Sequence, residues 1–395
     1  MRRSASLLGL VLVAAGGFVV LLVARLGDYP ADAGPAVAAL AHGSLRRAAA
    51  VPFLMGPFSI VLRAPFVWVA DRLGAGDLGV YRAGIVPCLA AAAVLGVALV
   101  RRSRSNWAPL VAALAVLTPA SVAAASNGHP EELLGGALCV AAVLLAHGRR
   151  PVWAGIALGL AIATKQWALI AVVPTLLAAP APSRVRVALV GAAAALAFYT
   201  PFIAQDPHAF MAATRNEAHV ESAATPETIW LAVASDRHVN VAGSPTLTYH
   251  AVPKWVPPVS HALIVLAALP FALLLWRRRL QASQALALLA LLFLVRCVFD
   301  PVDQDYFHVP FLLALLATEV TAGAFPCVTL FAVGGLWLNF GVLHGTASPW
   351  LSAAVYLGWT AVVGAFLGGR IFGVRLFRGI ELPALVRRAP RSLEV

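Results

Sequence analysis

In a chain that is 61% hydrophobic, four short stretches hold the side chains able to move protons or bind charge. Gly27-Asp28-Tyr29, with Asp32 one turn later, directly follows the first apolar run. A carboxylate just above a lipid surface suits a general base that takes a proton from an attacking hydroxyl. Asp28 is assigned that role, with Asp32 orienting it or binding substrate. SNGHPEELLGGAL, residues 126–138, brings His129, Glu131 and Glu132. Two readings fit it. Ser126 or Asn127 caps a helix whose first turn carries Pro130 and two carboxylates facing the positive helix end. Alternatively, that rigid helix end holds His129 and Glu131 for donor or acceptor hydroxyls. Lys165 sits between two short apolar runs, a costly place unless it meets an anion, faces a polar cavity or snorkels to the surface. A lipid-linked phosphate is the partner expected for it. Arg296 and FDPVDQDYFH, residues 299–308, form the fourth patch. Asp300, Asp303 and Asp305 resemble a cation site but lack the glycine and terminal glutamate of a calcium loop. The preferred reading is an Arg296–Asp300 ion pair with Asp305, Tyr306 and His308 lining a substrate cleft, with plain helix capping as the alternative. No metal ligand is assigned, and a divalent-metal requirement stays open. Arg215, in a long polar segment, is placed against sugar or phosphate.

These groups need a scaffold, and the composition supplies one. Mean hydropathy is +0.85, and apolar runs of about 17–25 residues, each roughly one bilayer core, recur along the chain. The fold class expected is an all-α polytopic membrane protein, a bundle of about 11–13 transmembrane helices with outward-facing amphipathic helices and loops. The run Leu7–Val23 has no small-residue cleavage site before Arg25 and reads as a retained first helix. The net charge of +12 comes from short arginine clusters between apolar runs, which act as topology signals rather than as a nucleic-acid surface. Cys88, Cys139, Cys297 and Cys327 show no CxxC spacing and read as small buried hydrophobes.

Placing Arg101/Arg102/Arg104, Arg149/Arg150, Arg184/Arg186 and Arg277–Arg279 in the cytoplasm fixes a path with both termini there. Crossings fall near 7–23, 81–100, 107–125, 131–147, 151–163, 166–179, 185–203, 259–276, 282–299, 306–322, 324–344 and 349–369. Residues 1–395 form a single integral membrane domain, with a first outer loop at 24–80, a long outer loop at 204–258 and a basic cytoplasmic tail at 370–395. Within the first loop, 35–45 and 52–73 read as helices lying in the interface. The pair 151–163 and 166–179 is too short to span and forms a hairpin with Lys165 at its tip. On this path 14 of the 17 carboxylates face away from the cytoplasm, a pile-up that orientation rules do not require.

Three stretches carry a family resemblance: GDYPADAGPAVAALAHG at 27–43, NGHPEELLGGAL at 127–138 and AGIALGLAIATKQWALIAVVPTLLA at 154–178. The chain resembles the GT-C glycosyltransferases and, among them, glycosyltransferase family 87, the polyprenyl-phosphate-mannose-dependent mannosyltransferases. The resemblance implies a hexosyltransferase of the cell membrane with an extracytoplasmic active site. It further implies a polyprenyl-phosphate sugar donor, a glycolipid or glycan acceptor, Asp28 as general base, Lys165 on the donor phosphate, and inversion at the anomeric carbon. No cofactor is implied. The alternative is a secondary transporter using the same carboxylates. Transporter sites lie near the midplane between repeated halves, whereas these charges gather at one face of a chain without an evident repeat.

Overall fold

The computed structural model describes residues 2–51, 55–208, 210–211, 223–239 and 247–373. Helices follow the apolar runs: α1 (Arg2–Val23), α2 (Ala33–Ala41), α3 (Leu45–Ala50), α4 (Pro57–Arg72), α5 (Asp77–Arg102), α6 (Ala108–Val116), α7 (Pro119–Ser126), α8 (Glu131–His147), α9 (Pro151–Thr164), α10 (Val172–Ala178) and α11 (Arg184–Gln205). After the long polar segment come α12 (Val256–Leu266), α13 (Leu269–Leu275), α14 (Ala282–Phe299), α15 (Val309–Thr321), α16 (Cys327–Leu336) and α17 (Pro349–Phe372). By length and apolarity six stretches can cross a bilayer: Asp77–Arg102, Ala108–Ser126, Ala181–Gln205, Val256–Leu275, Ala282–Phe299 and Pro349–Phe372. Leu7–Val23, Pro151–Thr164, Gln166–Ala178 and Cys327–Leu343 are shorter apolar helices. The chain is an all-α polytopic membrane protein. Its small antiparallel sheet, β1 (Ala223–Ala224), β2 (Ser235–Val239) and β3 (Leu247–Ala251), is ordered β1–β3–β2 and belongs to the long polar segment.

Local chemistry explains where runs read as single crossings break. Between α6 and α7, Pro119 removes an N–H and disfavours helical backbone at Thr118. The Thr118 hydroxyl then starts the next helix by accepting from the Ser121 N–H at 3.1 Å. Near its end the 324–344 run widens into a π-helical turn, Trp337–Leu343. The hairpin keeps its expected form. Its first arm, α9, has 14 residues, about 21 Å of rise against a core of ~30 Å. The second arm opens with a 3-10 turn, Gln166–Ala171.

Lipid is as apolar as leucine, so close backbone approach and polar contacts, rather than water exclusion, drive these helices together. Gly155 and Gly159 let α9 meet α11: a Cβ at Gly159 would lie 2.4 Å from the Gly191 carbonyl oxygen. Gly136 does the same between α8 and α15, where a Cβ would come 2.9 Å from Pro310 Cα. Almost every side chain of α15 and most of α8 are buried, so these two helices form the centre of the bundle.

Arg63 takes a position that the sequence does not announce. Charges make the 52–73 stretch read as interfacial in the sequence, yet α4 turns Arg63 inward. Ile60, Arg63, Ala64, Val67 and Ala70 share the buried face, while Phe66, Trp68 and Val69 are exposed. Arg63 is fully buried, and the outward face of the helix is the apolar one. The cysteines divide as well: Cys88, Cys139 and Cys297 are buried, but Cys327 is exposed.

Candidate functional site

Two glycine turns bring the first and second polar stretches together. Gly27 (φ 49°) and Gly128 (φ 92°) occupy the left-handed region, which glycine enters without steric cost. The loops cross so closely that a Cβ on Gly27 would lie 2.3 Å from the Asn127 carbonyl carbon, and one on Gly128 would lie 2.6 Å from Tyr29 N. The Asp28 N–H donates to the Asn127 carbonyl at 3.0 Å, pinning Asp28 beside His129. Gly128→Ala is therefore expected to cost about 1–3 kcal/mol in backbone strain alone, and to displace Asp28. A thermal melt and an activity assay equal to wild type would show that the loop crossing is dispensable.

From this crossing a chain of alternating charge runs inward. Asp28 Oδ2 is 3.6 Å from His129 Nε2, and the Asp28 side chain is 72% exposed against 6% for His129. The imidazole lies flat on Tyr306, centroids 4.6 Å apart at 13°. Its Nδ1–H donates to Glu131 Oε1 at 3.1 Å and is 3.7 Å from Asp32 Oδ2. Lys165 Nζ is 3.3 Å from Glu131 Oε1 and 3.2 Å from Glu132 Oε1. Trp167 Nε1–H donates to Glu132 Oε1 at 3.1 Å. Arg296, 3.5 Å from Glu132 Oε2, lies between the faces of Trp167 and Phe307, at 5.0 and 4.5 Å from their centroids. Arg63 flanks the chain, 3.9 Å from Glu131 Oε2 and 4.9 Å over the Tyr29 ring.

Isolated, each of these buried charges would cost several kcal/mol; paired in sequence they compensate one another. Asp28, Asp32, Glu131 and Glu132 face Lys165, Arg296 and Arg63, and a protonated His129 completes the balance. Burial opposes the imidazolium, but the hydrogen bond and charge of Glu131, aided by Asp32, outweigh it and hold His129 above the ordinary histidine range. Burial likewise opposes the Lys165 ammonium, and Glu132 and Glu131 outweigh it, holding the lysine above its ordinary range.

The His129 shift has a sign that can be tested. A group whose pKa is raised on folding stabilises the protein fully below its unfolded value, about 6.5, and loses that contribution as pH rises through the folded value. The melting temperature of wild type should therefore fall relative to His129→Gln as pH rises from below 6.5 through the raised value. A wild-type minus variant difference that stays flat across that window would contradict the charged-histidine assignment.

Of the residues singled out in the sequence, Asp28, Asp32, His129, Glu131, Glu132, Lys165, Arg296 and Tyr306 converge here. His308 does not: it turns to Tyr356 Oη at 2.8 Å and Asp303 Oδ2 at 3.4 Å. Asp305 Oδ1 accepts from the Tyr306 N–H at 2.7 Å, and Asp300 Oδ1 from the Val302 N–H at 3.2 Å. Arg215 lies outside the described residues.

Two readings are corrected by this geometry. HPEE is not a side-chain cap: Pro130 is the N-cap of α8 and no side chain caps it. Asn127 instead closes α7, and both glutamates point into the bundle. Lys165 does not snorkel; it is buried between two carboxylates that already match its charge, which leaves little for a phosphate. Arg63, Trp167 and Tyr29 are additions. The sequence signal for Arg63 is its position on the same helical face as Ile60 and Val67.

What this arrangement offers chemically is one solvent-facing carboxylate, fixed by backbone contacts and an imidazole, at the open end of a buried, charge-balanced network. Among comparisons with known proteins, the family model described as Glycosyltransferase family 87 matches residues 53–301, more than half of the 395-residue chain. No curated protein and no solved structure matches.

Proposed function

This chain belongs to glycosyltransferase family 87, and from that premise we propose that it moves a sugar from a polyprenyl-phosphate donor to a hydroxyl of a glycolipid or glycan acceptor. That it is a membrane glycosyltransferase follows from the family and the helices. The finer reading rests on one observation: Asp28 is the solvent-facing carboxylate at the end of the network, within 3.6 Å of a buried histidine. Asp28 precedes the matched span, so its role is argued from geometry rather than from the match.

In the reaction, Asp28 accepts the proton of the acceptor hydroxyl as the oxygen bonds to the anomeric carbon. The bond from that carbon to the lipid phosphate breaks on the opposite face, so configuration inverts and the polyprenyl phosphate departs with the electron pair. His129 orients the Asp28 carboxylate. Glu131, Lys165, Glu132 and Arg296 hold His129 and Tyr306 in place, acting as positioning residues. The departing phosphate calls for a cation with charge to spare, and Lys165 is already paired with two carboxylates. The arginine clusters support a non-cytoplasmic position for this centre, with both termini in the cytoplasm.

The test is transfer by purified protein in lipid nanodiscs. Radiolabelled polyprenyl-phosphate mannose, other polyprenyl-phosphate hexoses and pentoses, and nucleotide sugars are supplied separately with extracted envelope glycolipids. Label should pass from a polyprenyl-phosphate donor and from none of the nucleotide sugars. Transfer from a nucleotide sugar alone would overturn the donor class, and solute uptake by proteoliposomes without any transfer would favour the transporter.

A further inference from the structure

Behind the network, on the far side of Arg296, lies a second cluster that the proposed reaction does not use. Cys297 lies in the last turn of α14, Asp303 sits in the loop after it, and His308 precedes α15; all three are buried. Cys297 Sγ, an Asp303 carboxylate oxygen and a His308 ring nitrogen lie within 4.8 Å of one another. From these groups we propose a structural site for a divalent cation of zinc type, held by Cys297, Asp303 and His308. Nothing in the proposed transfer depends on it, so the two readings stand or fall separately.

Four observations carry the inference. The donor set, thiolate, imidazole and carboxylate, is the mixture that tetrahedral zinc accepts and that calcium or magnesium does not. Zinc with ligand bonds of about 2.0–2.3 Å needs its donor atoms roughly 3.3–3.6 Å apart. His308 Nε2 and Asp303 Oδ2 already stand at 3.4 Å, and Cys297 Sγ lies within 4.8 Å of the Asp303 and His308 donor atoms. His308 is also oriented as metal-bound histidines are: Nδ1–H donates to the Gln304 carbonyl at 3.2 Å, which leaves the Nε2 lone pair facing the cluster.

Asp303 gives the fourth observation. It is 1% exposed, and although Tyr356 and the His308 ring are polar neighbours, neither carboxylate oxygen makes a hydrogen bond of ordinary geometry among the described residues. A buried carboxylate in that state is costly. A dication with one thiolate, one carboxylate and one neutral imidazole is a neutral unit, which removes the cost. Tyr356 Oη, 2.8 Å from His308 Nε2, supplies a fourth donor atom from α17. The site would thus tie α14, α15 and α17 together beside Arg296. Nearby, Glu227 Oε1 accepts from the Ser352 hydroxyl at 2.8 Å and is 3.5 Å from the half-exposed His344. Without metal, the competing arrangement is a protonated Asp303 hydrogen-bonded to His308 or Tyr356.

The experiment uses the full chain purified in detergent without chelator, loaded with zinc and dialysed. Metal content is measured by elemental mass spectrometry, and cobalt is substituted to read the thiolate-to-cobalt charge-transfer band. Wild type should retain stoichiometric zinc and show the band. Cys297→Ser and Asp303→Asn should each lose most of the zinc, and Cys297→Ser the whole band. A strong chelator should lower the melting temperature of wild type and leave that of Cys297→Ser unchanged. Cys297→Ser is nearly isosteric, and Asp303→Asn provides a second folded comparison. Zinc retained equally by wild type and Cys297→Ser would assign the metal to surface histidines and overturn the site. A metal-free wild type after loading would overturn it too, in favour of the protonated carboxyl.

Discussion

Asp28→Asn is expected to lower the rate of sugar transfer by about 10²–10⁴-fold while leaving the thermal melt where it is. The two halves of that expectation come from different features. The rate falls because an amide cannot take the acceptor proton, and no second exposed carboxylate is paired with His129 among the described residues. Asp32 is on the inner side of the imidazole and Glu131 is fully buried. Stability is kept because the Asp28 side chain is mostly solvent-exposed, and its anchoring bond is made by the backbone N–H, which Asn retains. Asp28→Glu carries the carboxylate one methylene further out and should recover part of the rate without reaching wild type. Transfer within a few-fold of wild type in Asp28→Asn would leave the enzyme standing and remove its base.

Most of the scaffold was legible because membrane helices announce themselves by hydropathy. The runs at 81–100, 185–203, 282–299 and 349–369 lie inside α5, α11, α14 and α17. The short hairpin was legible from arm length, and the Lys165 tip from the cost of a lysine in an oily stretch. The breaks at Pro119 and at Trp337–Leu343 were less so, since a span interrupted by proline or widened to a π turn keeps the same hydropathy.

The site was half legible. Charges in an apolar chain stand out singly, so Asp28, His129, Glu131, Lys165 and Arg296 could be picked, but their partners could not. Capping and ion pairing use the same residues at a helix start, and only the direction of Glu131 and Glu132 decides between them. Arg63 escaped because a charge on a proline-containing helix reads as a solvated face, whereas here the surrounding lipid takes the apolar side and the protein takes the arginine. The Cys297, Asp303 and His308 cluster escaped for a related reason. Their spacing matches no ligand motif, and Tyr356 reaches them from a helix far along the chain.

Lys165→Met tests what the interior of the network is for, and its expected effect is the largest on stability. It leaves Glu131 and Glu132 buried, the first answered by His129 at 3.1 Å and Arg63 at 3.9 Å, the second by Arg296 at 3.5 Å, without the one cation that faced both. Removing one partner of a buried ion pair costs about 3–5 kcal/mol, so the melting temperature should drop sharply. The double variant Lys165→Met with Glu131→Gln removes one charge of each sign. It leaves Glu132 paired with Arg296, and the amide oxygen introduced at position 131 can still accept from His129 Nδ1–H. Most of the lost stability should return, because a buried ion pair is seldom worth more than its neutral replacement. Transfer should not return, since the carboxylate that keeps His129 charged beside Asp28 is gone. Recovery of both would mean that the alternating charges only satisfy one another. Recovery of stability alone would show that they are retained to set the charge and position of the imidazole that faces the catalytic carboxylate.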